Sequence, residues 1–72
     1  MESGKNLLLE TIGNNIRRYR TLKKMSQQSV ADYTNIAKST IQRIENGKLN
    51  PTILMLEKIS ITLEIEIEDL IK

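Results

Sequence analysis

An all-α fold, five helices around one core, is what this 72-residue sequence predicts, and three observations carry the prediction. Apolar residues recur at helical spacing, first at Leu9, Ile12, Ile16 and Tyr19. Helix start and stop signals, Ser26, Gly47 and Asn50-Pro51, divide the rest into short segments. The one stretch with strand-like alternation, Leu63 to Glu68, has no second strand to pair with.

The first helix begins near Leu9, after a flexible N-terminus over residues 1–6, and ends near Lys24. Arg17, Arg18, Lys23 and Lys24 lie late in it, where cations suit the negative end of the helix dipole. Ser26 reads as the N-cap of a short second helix, 27–33, with Val30, Ala31 and Tyr33 inward. Asn35 suits the turn that follows, because asparagine tolerates the left-handed conformation. The third helix runs over 38–46 and stops at Gly47. Asn50 then caps a fourth helix with Pro51 at its first position, running to Leu63 with Ile53, Leu56, Ile59 and Leu63 on the core face. A short closing helix at 67–71 is favoured over an unpaired strand.

Composition narrows the function. There is no cysteine and no histidine, so disulfides, thiolate metal sites and the commonest general base are excluded. No Gly-rich phosphate loop is present, and the acidic residues near the C-terminus lack the spacing of a calcium loop. An enzyme is not expected, nor any metal or small-molecule cofactor. No secretory signal or membrane-length apolar run is visible, which places the expected site of action in the cytoplasm, at the nucleoid. Charge is divided: residues 1–48 hold nine basic and four acidic groups, a net +5, and residues 49–72 hold two and five, a net −3. Such asymmetry suits a polyanionic partner, although most charged faces are simply solvated.

The third helix sharpens this. At about 100° per residue, Ile41 and Ile44 share one side. Ser39, Gln42, Arg43 and Asn46 cluster opposite, with Lys38 and Thr40 at the edges. Arginine can donate two bonds to guanine, glutamine to adenine, and serine or threonine to either, and a helix fits the major groove. A solvated face would show the same polarity. The difference lies in the preceding unit: a capped short helix, a three-residue turn and a second helix make a helix-turn-helix.

With Ile12-Gly13, Ile16-Arg17, Arg20, "MSQQSVA" (25–31), "IAKSTIQRIENGKLNP" (36–51), "LEKIS" (56–60), Leu63 and "EDLI" (68–71), the chain resembles the phage lambda repressor and Cro type of helix-turn-helix domain, the xenobiotic-response-element family. The resemblance covers residues 12–71 and implies a five-helix lambda-repressor-like bundle, a single DNA-binding domain over 7–72 with its helix-turn-helix at about 27–46. It implies a sequence-specific transcriptional regulator of double-stranded DNA, a repressor that places helix 38–46 in the major groove and binds an inverted-repeat operator as a homodimer. Lys38, Ser39, Thr40, Gln42 and Arg43 become base readers, and Gln27, Asn46 and Lys48 phosphate contacts. Arg20 and Glu45 become an ion pair between the first and third helices. Five positions depart from the pattern, among them Ser60, which stands for a common alanine. Asn35 stands for a glycine, Ala37 for a Ser or Thr cap, at a cost of about 1 kcal/mol, and Glu64 and Glu66 for a glycine and a capping residue.

Leu54 and Ile61, one heptad apart on the fourth helix, point away from its core face and mark a candidate dimer patch. Isolated exposed apolar residues are ordinary, and Leu7-Leu8 could instead cover them. An alternative function is an antitoxin or coregulator that acts through protein contacts, with a toxin as partner.

Overall fold

The structure, a computed structural model, describes residues 6–72 and is all-helical there. Helix α1 spans Leu7–Leu22, α2 Gln27–Thr34, α3 Lys38–Glu45, α4 Ile53–Leu63 and α5 Ile67–Ile71. Residues 1–5 of the expected flexible N-terminus lie outside the described residues. Asn6, counted with them in the sequence, is the N-cap of α1, its Oδ1 accepting from the Leu9 amide at 3.0 Å.

Local chemistry explains each boundary. Ser26 Oγ accepts from the Ser29 amide at 3.0 Å and starts α2. Asn35, in the left-handed region at φ 60°, ends it. Gly47, at φ 70°, turns the chain away after α3. Lys24 and Glu64 occupy the same left-handed region at φ 59° and 60°, without glycine's freedom. Lys23 bonds the Glu64 carboxylate at 2.5 Å, and that bond together with the lysine's charge holds the pKa of Glu64 below its ordinary value.

Three sequence expectations need correction. The cap of α4 is Thr52, whose Oγ1 accepts from the Met55 amide at 3.1 Å, so neither Asn50 nor Pro51 opens that helix. Pro51 is buried in the preceding loop instead. Ile53 is 65% exposed. Around α4, the buried Leu56, Ile59 and Leu63 centre about a quarter-turn from it. Tyr33 is 77% exposed, and Thr34 takes the inward place. The Thr34 hydroxyl donates to the Val30 carbonyl at 2.7 Å and accepts from the Ile36 amide at 3.3 Å, which makes it tolerable in the core.

Helix α1 packs on α3 and α5, α2 on α3 and α4, and α4 on α5. Ile16, Val30, Ile41, Ile44, Ile59 and Leu70 are the most deeply buried side chains. Truncating one of the isoleucines to alanine would cost about 2–5 kcal/mol. Gly13 explains how α1 and α3 come so close. A Cβ there would stand 2.5 Å from the Glu45 carbonyl oxygen and 2.6 Å from that of Ile44. A glycine in mid-helix costs up to about 1 kcal/mol; here it lets α1 lie against the end of α3. Asn15, farther along α1, donates to the Leu70 and Lys72 carbonyls and so ties down the end of α5.

Candidate nucleic-acid interface

Helix α3 is anchored by Ile41 and Ile44, both buried. The same register turns Lys38, Ser39, Gln42 and Arg43 outward to exposure, with Thr40 half-buried at the edge. Among the described residues, no hydrogen bond or ion pair engages the side chains of these five residues or of Lys48. The N-terminus of α3 has no side-chain cap at Ala37, so its first amides stay available there. At the other end, the Gly47 and Lys48 amides bond back to the Ile44 and Arg43 carbonyls, at 3.1 and 2.9 Å, and send Lys48 outward.

Under this row lies a polar network centred on Glu45, whose side chain is fully buried. Arg20 grips it with two bonds, Nε to Oε2 at 2.6 Å and Nη2 to Oε1 at 3.1 Å, and its Nη1 donates to the Met25 carbonyl at 2.9 Å. Gln27 Nε2 donates to Glu45 Oε1 at 3.0 Å. One carboxylate thus joins α1, the start of α2 and the end of α3. No buried side-chain nitrogen or oxygen among the described residues is left without a partner. Removing one partner of such a pair would strand the other charge, at about 3–5 kcal/mol.

The sequence places Asn46 with Ser39, Gln42 and Arg43 on the outward side of the third helix, but unlike them Asn46 has a partner inside the chain. Asn46 Oδ1 accepts from Arg17 Nη2 at 3.2 Å, and the same nitrogen donates to the Glu45 carbonyl at 3.2 Å. Arg17, read in the sequence only as a cation late in α1, belongs to the site. Its position three residues before Arg20, on one helix face, is the signal that points to it. Leu54 and Ile61 lie on α4 and are 65% and 68% exposed. Among the described residues, no helix is long and apolar enough to cross a membrane, and no three His, Cys, Asp or Glu side chains gather to hold a metal.

A family model described as helix-turn-helix (HTH_3) matches residues 16–70. The transcriptional regulator SlrR of Bacillus subtilis is 40% identical over 60 residues, covering 82% of this chain and 40% of its own. The regulator SinR of the same organism is 38% identical over 61 residues, covering 83% and 55%. This chain therefore spans about half the length of the curated relatives it matches. Among solved structures, the restriction-modification controller protein C.AhdI from Aeromonas hydrophila superposes with a TM-score of 0.87 at 28% identity, over 90% of this chain and 98% of that one. The wild-type controller C.Esp1396I does so at 0.82 and 32%, over 86% and 80%.

Proposed function

Since the chain belongs to the HTH_3 helix-turn-helix family, we propose that it is a sequence-specific double-stranded DNA-binding transcriptional regulator. It acts as a repressor, through one DNA-binding domain over residues 7–72. The observation that carries this reading is the outward row of α3, four exposed polar side chains with no partner in the described chain, beside Asn46 and Lys48. Helix α3 enters the major groove; Lys38, Ser39, Thr40, Gln42 and Arg43 meet base edges. Gln27, at the N-terminus of α2, and Asn46 and Lys48, after α3, meet phosphates. Bonded to Glu45, Gln27 holds the start of α2 in fixed register with α3, so base and backbone contacts are set together.

The chain reads its site as a two-fold pair. The exposed Leu54 and Ile61 on α4 support a second copy there, and each would gain roughly 1.5–3 kcal/mol on full burial. The names of SlrR and SinR, both transcriptional regulators, support the reading of the chain as a regulator of transcription.

Titrating isotopically labelled protein with short duplex DNA at low ionic strength tests it. Amide signals from Lys38 to Arg43, Gln27 and Lys48 are expected to move first, and those on the outer face of α5 to stay. An unperturbed α3 would overturn the assignment.

A further inference from the structure

Arg17 sits where the end of α3 meets α1. Its Nη2 donates to both the Glu45 carbonyl and Asn46 Oδ1, each at 3.2 Å, and its Nε lies 3.6 Å from Glu45 Oε1. A guanidinium has donors only. The amide that faces it must present its oxygen, so both N–H groups of Asn46 turn away from Arg17. The last carbonyls of a helix carry partial negative charge, and that end disfavours an anion. The same arginine bonds one of those carbonyls and brings a full positive charge to it.

We propose that Arg17 is a positioning residue for the DNA backbone. It holds the Asn46 amide with its donors outward and offsets the negative end of α3, so that a phosphate oxygen can accept from Asn46 where a bare helix C-terminus would repel it. Helix α1 thereby joins the elements that shape the contact surface. Arg20, three residues on, spends its bonds on the buried Glu45 carboxylate and the Met25 carbonyl, so the two arginines divide the work. Arg20 holds α1 to α3, and Arg17 prepares the end of α3 for its ligand. The inference rests on the DNA-binding reading above.

A double-substitution cycle on the full chain tests it, with random-sequence duplex DNA as the probe because phosphate contacts carry no base information. Asn46→Ala is expected to weaken binding roughly tenfold, the loss of one hydrogen bond to a charged acceptor. Arg17→Ala should do the same or more. Placed on Asn46→Ala, Arg17→Ala should cost no more than about threefold, because its chief target is gone. Arg17→Lys, run through the same cycle, guards against a folding defect in the alanine variant and should show the same coupling at smaller amplitude. A purely structural arginine, or one that itself grips phosphate, would weaken binding equally in both Asn46 backgrounds, and that result overturns the proposal. So does wild-type binding by Arg17→Ala. If the wild-type chain fails to bind duplex at all, the functional reading falls and takes this inference with it; uncoupled substitutions on a wild type that binds remove this inference alone.

Discussion

At the scale of single residues, the side chains of α3 divide by where their polarity is spent. Glu45 spends its charge inward, on Arg20 and Gln27, and is buried. Arg43, two positions earlier, has no partner among the described residues and stands exposed. This difference separates an architectural charge from one available to a ligand. Arg43→Ala should therefore weaken binding and relax the preference at one base position, by about 1–3 kcal/mol against the favoured base, whereas Lys48→Ala should weaken all sequences alike. Affinity measured over a panel of single-base operator variants separates the two; a uniform loss for Arg43→Ala would remove it from the base readers. The outward row was legible in the sequence because it follows from helical period alone. The network beneath it was less so. That Gln27 bonds the same carboxylate as Arg20, and that Arg17 reaches Asn46, depends on how α1 and α2 cross α3, which no local pattern encodes.

At the scale of helices, the chain ends α1, α2 and α4 with Lys24, Asn35 and Glu64 in the left-handed conformation that glycine adopts at least cost. Asparagine bears this well; lysine does not. Lys24 is exposed, and its side chain makes no bond among the described residues. Lys24→Gly should therefore stabilise the fold by about 0.5–1 kcal/mol, the relief at φ 59° exceeding the added freedom of the unfolded chain. A denaturant midpoint shifted upward at unchanged slope would show it, and a lowered midpoint would contradict it. The boundaries of α2, α3 and α5 were legible to within a residue: Ser26, Asn35 and Gly47 are local start and stop signals for α2 and α3, and α5 followed from the lack of a partner for a lone strand. The start of α4 was not. Asn50-Pro51 and Thr52 are both plausible openings, and the choice is made by burial of Pro51, a tertiary event. Ile53 and Tyr33 were misplaced for a related reason: an apolar residue just beyond the buried arc of a helix has the right spacing but no neighbour to pack on.

At the scale of the whole molecule, function follows from a division of surface. Helix α3 and the loop after it carry polar and cationic side chains without internal use; α4 carries exposed leucine and isoleucine elsewhere. A single copy of this size reads few base pairs, and a two-fold pair through α4 would double the reading. Selection of bound duplexes from a fully random DNA pool puts this to the most direct trial. The expected result is an enriched motif present twice in inverted orientation, with centres about 34–36 Å apart. The Leu54→Glu, Ile61→Glu double variant should enrich only one half of it. Recovery of no common motif from the wild-type chain, at a salt concentration where it binds DNA, would contradict the claim that α3 reads sequence.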